Sequence, residues 1–194
     1  FVPDQVTLDY VEARKSRDFT PHYPDDDGEY EKTIEIGVED LEPLVAAPHS
    51  PANVKRALEL SRTAIDQVFI GSCTNGRLRD IEMAVGIIKG RKIHQDVRCM
   101  VIPASYEVYM EAMRRGYLEI LADAGAAICT PTCGPCLGGH MGILAAGEKC
   151  VSTSNRNFVG RMGHTESEVY LAGPLVAAAS AITGRITDPR ELEG

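Results

Sequence analysis

Two glycine-containing loops hold the residues of this chain best suited to chemistry. The stretch Thr130-Pro-Thr-Cys133-Gly-Pro-Cys136-Leu-Gly-Gly-His140 gathers two thiols, two prolines and three glycines between two apolar runs. Glycine allows sharp turns and close approach, proline stiffens the loop, and a two-residue gap lets both thiolates reach one soft metal centre. A second loop, Gly71-Ser-Cys73-Thr-Asn-Gly-Arg77, follows the apolar stretch Val68-Phe-Ile70 and offers a third thiol. Apolar packing explains a thiol in neither loop, so Cys73, Cys133 and Cys136 form one candidate ligand set.

A lone Cys-x-x-Cys also serves zinc sites and thioredoxin-like redox pairs. Structural zinc ordinarily takes a fourth protein ligand, and no second Cys-x-x-Cys is present. A redox pair ordinarily sets its thiol at a helix N-terminus, whereas Leu-Gly-Gly follows this one. Three thiolates suit an iron–sulfur cluster with one iron left open. Cys99, Cys129 and Cys150 fall in apolar strand candidates, where free cysteine is a common small core residue. Cys129 is the alternative fourth ligand, one that would close the site to substrate.

Polar residues flank these thiols. Ser72, Thr74 and Asn75 bracket Cys73 and can donate hydrogen bonds towards sulfur, or cap the helix expected from Leu78. Arg156 and Arg161 flank Asn157 and follow Asn155 in a loop after a strand; two guanidinium groups so spaced can grip carboxylates in bidentate fashion, the plain alternative being solvated surface arginines. Arg77 directly follows the first thiol loop, where it would steer a substrate or brace the loop. His140 and His164 have no carboxylate at helpful spacing and read as structural. Thr165 with Glu168 reads as a helix cap and its three-residue partner. Tyr23-Pro-Asp-Asp-Asp-Gly28 lacks the ligand spacing of a calcium loop and reads as a solvated turn.

The elements that must position these loops alternate. Strands are expected over 66–70, 97–102, 126–129 and 150–154, and helices over 78–89, 106–115 and 118–124. A helical turn is expected over 141–146, with the longest helix over 167–183. This is the pattern of an α/β domain with three α/β/α layers and a mainly parallel sheet, in which ligands collect beyond the carboxyl ends of the strands. Ahead of it, a short helix is expected over 4–11, an alternating half-buried strand over 30–37 and a further extended piece within 38–45. The segment 46–51, with two prolines, reads as a linker. The expected division is therefore an N-terminal segment of irregular chain and short strands, residues 1–50, and the α/β domain, residues 51–194.

The chain has 194 residues and a formal charge of −8, with no basic run longer than two residues. A sequence-independent grip on nucleic acid is not expected. Nor is a membrane span or a signal peptide, and the reading is a cytoplasmic protein. Six cysteines without a small secreted scaffold favour reduced thiols and metal over disulfides. The sequence opens at Phe1 rather than methionine, which reads as a fragment of a longer protein.

Three blocks, 71–77, 132–138 and 154–161, resemble the signature motifs of the aconitase superfamily, in order and spacing, within a resemblance covering 66–192. Gly-Arg after Thr-Asn, and Gly163-His-Thr-Glu-Ser-Glu-Val-Tyr170, are closer to the branch holding the large subunits of 3-isopropylmalate dehydratase and homoaconitase than to aconitase itself. The resemblance implies a labile [4Fe-4S] cluster on Cys73, Cys133 and Cys136, substrate carboxylate contacts from Arg156 and Arg161, and Asn155 near cluster and substrate. It further implies dehydration and rehydration of a small hydroxy-dicarboxylate, 2-isopropylmalate to 3-isopropylmalate in leucine biosynthesis, with homoaconitate as the alternative. Other catalytic groups would come from earlier domains and a small subunit, leaving this chain inactive alone. The competing readings are a metal-binding or thiol-switch module and an RNA-binding apo-protein, the last disfavoured by the acidic balance.

Overall fold

Gln67–Gly71 is buried at all five positions, which requires cover on both faces of a strand; the sheet extends outward from it. The computed structural model describes residues 2–39 and 41–192. Its described residues fall into two units, one ending at Leu41 and one starting at Glu42. In the second, β1 (Leu44–Ala46), β2 (Val54–Arg56), β3 (Gln67–Gly71), β4 (Arg98–Ile102), β5 (Ala127–Ile128), β6 (Lys149–Ser152) and β7 (Glu168–Ala172) form one sheet. The strand order is β2-β1-β7-β6-β3-β4-β5. β7, β6, β3, β4 and β5 run parallel, while the hairpin β1–β2 is antiparallel and pairs Val45 with Ala172.

The two faces are covered differently. On one, Val68, Ile70, Val101 and Val151 pack under α3 (Leu78–Ile88), α4 (Tyr106–Arg114), α5 (Tyr117–Asp123) and α6 (Pro174–Thr183). In α3 the buried Ile81, Ala84, Val85 and Ile88 follow the i, i+3, i+4, i+7 stripe of an amphipathic helix. Four buried alanines let α6 lie close against the sheet, between Pro174 at its first turn and the left-handed Gly184 at its end. On the other face, Phe69, Met100, Ile102, Cys150 and Val169 pack under Leu144 and Met162, with Cys129 and Cys136 partly buried against them. This cover is the chain between β5 and β7, including the one-turn helix Gly134–Leu137. It is pinned by Leu144 N donating to Met162 O (2.9 Å) and by Gln67 Nε2 donating to Gly142 O (2.9 Å).

The mostly parallel sheet with helices on both sides is the expected α/β architecture, and β3 to β6 with α3 to α5 fall within two residues of expectation. Five local expectations are corrected. Residues 167–183 are not one helix: β-branched and aromatic side chains make 168–172 the strand β7, and Gly173-Pro174 starts α6 afresh. The cap reading of Thr165 and Glu168 falls with it, since Glu168 opens β7 and accepts from Tyr170 Oη (2.6 Å). Residues 141–146 form no helical turn; Leu144 instead bridges Gly163. Residues 46–51 are no linker, because Ala47 N donates to Asn53 O (2.8 Å) inside the β1–β2 hairpin. The alternating stretch 30–37 forms no strand, and Ile34 and Ile36 are each 69% exposed. The short helix is present as α1 (Gln5–Glu12), capped by Asp4. Phe1, and Asp40 within the stretch 38–45, lie outside the described residues.

Two expected outcomes follow from packing. Gly71 sits at φ 143°, and an added Cβ would lie 2.1 Å from Ile102 O. Gly71→Ala should therefore lose at least about 2 kcal/mol in urea unfolding. Asp188 is buried, and hydrogen bonds from the Arg190 side chain, with a further one from its backbone N–H, hold its carboxyl below the ordinary 3.8. A depressed carboxylate stabilises fully above its unfolded pKa and loses that contribution as pH falls through the folded value. Asp188→Asn should thus flatten the stability profile below pH 3.8 while lowering stability at neutral pH.

Candidate metal centre

The first thiol is presented by the end of β3. Gly71 leaves the strand at positive φ and Ser72 follows at φ 78°, so the chain turns at once into α2 (Ser72–Asn75), with Cys73 exposed on it. Both ends of this turn are tied to the end of β6. Thr153 Oγ1 accepts from Gly71 N (2.8 Å) and donates to Gly71 O (3.0 Å), while Asn75 Nδ2 donates to Thr153 O (2.7 Å). Within the turn, Ser72 Oγ accepts from Thr74 N (3.2 Å). Thr74 Oγ1 lies 3.9 Å from Cys73 Sγ and accepts from Asn155 Nδ2 (3.3 Å). Ser72, Thr74, Asn75 and Asn155 are thus brought around Cys73. Arg77 is exposed at the N-cap of α3, its backbone N–H donating to Asp80 (2.9 Å).

The other two thiols follow β5. Thr132 Oγ1 and His140 Nε2 meet at 3.0 Å and close the loop on itself. Gly134 is buried beneath that pair, where a Cβ would come within 3.0 Å of the imidazole. Cys133 is exposed at the start of the one-turn helix; Cys136, at its third position, is half-buried against the Phe69 face of the sheet. Cys73 and Cys133 line one cleft of about 230 Å³ with Ser72, Pro103 and Thr132. Cys136 is met from another side by Arg161 Nη2, 3.9 Å from its Sγ.

The loop 155–161 carries the candidate anion-binding groups. Arg156 is exposed on it. The Nε of Arg161 is buried without a hydrogen-bond partner, and a buried donor left unpaired costs about 1–3 kcal/mol. Between the two arginines, Asn157 is fully buried and Nδ2 donates to Ala47 O (2.9 Å) and Ala46 O (3.3 Å), fastening the loop to β1. Thr153 and Asn157 were not singled out from sequence. A hydroxyl closing an apolar strand and an amide between two arginines are faint signals, and the groups they bind are 82 and 110 residues away.

The six thiols separate by environment. Burial pushes Cys99 and Cys150 up to about 12, so both remain protonated core residues. Partial burial also raises Cys129. His140 on Thr132, and His164 accepting from Glu166 N (3.1 Å), hold structural positions. Among the described residues no three of His, Cys, Asp and Glu converge as a single-ion site. Two soft thiols bordering one cleft, with a third on the adjoining one-turn helix, are donors of the kind an iron–sulfur group takes.

Comparison with known proteins accords with this arrangement. The aconitase family (aconitate hydratase) matches residues 53–184, from the β1–β2 hairpin to the end of α6. The chain is 60% identical over 190 residues to the 3-isopropylmalate dehydratase large subunit of Halothermothrix orenii, covering 98% of this chain and 45% of that protein. It is 60% identical over 188 residues to large subunit 1 of the same enzyme from Methanopyrus kandleri, covering 97% and 45%. With the Heliobacterium modesticaldum large subunit the identity is 56% over 191 residues, 98% and 46% covered. The chain thus spans a little under half the length of the curated relatives it matches. With its parallel sheet and all three thiol and arginine loops inside the matched region, the chain belongs to the aconitase family.

Proposed function

We propose that this chain is the cluster-carrying portion of an iron–sulfur hydro-lyase large subunit that interconverts 2-isopropylmalate and 3-isopropylmalate in leucine biosynthesis. The observation that carries the reading is the meeting of Cys73 and Cys133 in one cleft while Cys136 is met by Arg161 Nη2. The names of the relatives supply the substrate and imply a small subunit. The α/β domain, rather than the segment before it, is the functional unit, and the cytoplasm its place of action. Among the described residues no helix is long and apolar enough to cross a membrane.

Cys73, Cys133 and Cys136 would hold a [4Fe-4S] cluster, the cofactor usual in this family. When bound, an iron without a cysteine ligand supplies a Lewis acid for the substrate hydroxyl and carboxylate. The rest of the work falls to side chains. Arg161 offers its planar guanidinium to a substrate carboxylate, a geometry that a lysine ammonium does not reproduce. Arg156 adds positive charge on the same loop, and an overall charge of −8 makes such local cations necessary for binding a dianion. Asn155, through Thr74, couples that loop to the Cys73 turn. Ser72, Thr74 and Asn75 set the position of the Cys73 sulfur, and Arg77 borders the same turn.

Anaerobic reconstitution with iron and sulfide tests the ligand set. About four irons per chain, and a three-iron EPR signal after mild oxidation, are expected for the parent and for Cys99→Ser, with both lost in Cys73→Ser. One tightly held zinc, or a stable Cys133–Cys136 disulfide in place of iron, would sink the reading. The reconstituted chain should turn over no isopropylmalate until joined by the rest of the large subunit and a small subunit. In that assembly, Arg161→Lys should lower kcat/KM about 10²–10³-fold with iron content unchanged.

A further inference from the structure

Up to Leu41 no described residue is buried. The helix α1 buries none of its side chains. Ten of the twenty large apolar side chains exposed among the described residues belong to this stretch, although it is about a fifth of the chain. A segment with no fully buried side chain has little apolar burial to offset the entropy of ordering it.

Its sequence nevertheless carries a strand pattern. Over Glu31-Lys-Thr-Ile-Glu-Ile-Gly-Val-Glu39, Ile34, Ile36 and Val38 alternate with Thr33, Glu35 and Gly37. One face of a strand would hold three β-branched apolar side chains, the other Glu31, Glu35 and Glu39. In the structure Ile34, Ile36 and Val38 are 69%, 69% and 73% exposed, and among the described residues no strand forms before Leu44. A two-faced strand so patterned is stable only when its backbone is paired at a sheet edge and its apolar face is covered.

We infer that residues 32–38 form a strand in the full-length protein, added to a sheet edge that lies in the part of the polypeptide outside these 194 residues. The apolar face of Ile34, Ile36 and Val38 packs on that sheet's core, and the glutamate face meets solvent or basic cross-strand neighbours. Three observations select this occupant. The relatives match 97–98% of this chain, so the stretch is common to proteins of which more than half lies outside it. The backbone pairing that the pattern demands is what β-augmentation supplies. A second copy is the poorer partner, because parallel in-register pairing would align Glu31, Glu35 and Glu39 with their own copies in a chain of charge −8. This inference is independent of the proposed chemistry.

Amide hydrogen exchange tests it, with the buried amides of β3 as internal control. In the 194-residue chain, amides 33–38 should exchange within about tenfold of unprotected rates. With the chain replacing the matched stretch of the Halothermothrix orenii large subunit, their protection should rise more than about 100-fold. Ile36→Lys in that fusion should abolish protection at 33–38 and leave β3 protected. Equal rates in the chain and in a folded fusion would overturn the proposal. So would protection in the isolated chain, which would mark pairing within the 194 residues if independent of concentration, or a second copy if it rises with concentration. Should the fusion not fold, the aligned amides of the unmodified relative decide the matter: fast exchange there overturns the proposal and slow exchange supports it.

Discussion

The complete burial of β3 is the constraint from which the rest follows. With helices on one face and the β5–β7 chain on the other, no position of Gln67–Gly71 can meet solvent. Even the polar group at its base is satisfied internally: the Gln67 side chain accepts from Arg98 and donates to Gly142 O. Chemistry that needs water or a ligand is displaced to the strand ends, which is why Cys73 appears one turn after Gly71. The abruptness of that turn comes from Gly71, whose missing side chain lets Ile102 O approach, and from Thr153, whose hydroxyl serves both backbone groups of Gly71. A single residue beyond β6 thereby sets the orientation of the first thiol and, through Asn75, the end of its turn.

The same economy governs the second face. Its cover is a loop-rich segment, and the half-burial of Cys136 against the Phe69 cluster makes the thiol part of the packing that holds the segment down. The loop of Arg156 and Arg161 is likewise held from below, through the Asn157 amide on β1. The β1–β2 hairpin, peripheral in the sheet, is in this way a support for the anion-binding groups. Arg161, with one donor buried and unpaired beside Cys136, joins the two halves of the candidate site. The thiols divide along the same line: Cys99 and Cys150 in the sheet are kept protonated by desolvation, and Cys73 and Cys133 beyond the strand ends are exposed.

Cys73, Cys133 and Cys136 stood out in the sequence as candidate ligands because they lie in loops of glycine and proline, although Cys136 proves to be packed against the Phe69 cluster as well. The alternation of strands and helices was legible because apolar periodicity is local, and β3, β4, α3 and α4 therefore fall within a residue or two of expectation. The assignments that failed were those in which two structures share one local pattern. Residues 167–183 hold enough apolar side chains to read as one helix, but Gly173-Pro174 divides them and pairing with β6 takes the first part as a strand. The segment 46–51 has the prolines of a linker, yet its flanks are 8 residues apart in a hairpin whose register pairs Ala46 with Val54.

What the sequence determined by itself was therefore the inventory: which residues have the chemistry of ligands, which apolar runs supply the central strands, and an α/β order. The tertiary structure alone decided the relations. It brought Thr153 to Gly71, Asn157 to Ala47, Arg161 to Cys136, and Cys73 and Cys133 to one cleft. None of these follows from spacing, because each joins segments from 25 to more than 100 residues apart whose approach is set by the order of strands in the sheet. Residue type and periodicity act over a few positions along the chain; hydrogen-bond partners and clefts are properties of neighbours in space, which only the folded sheet supplies.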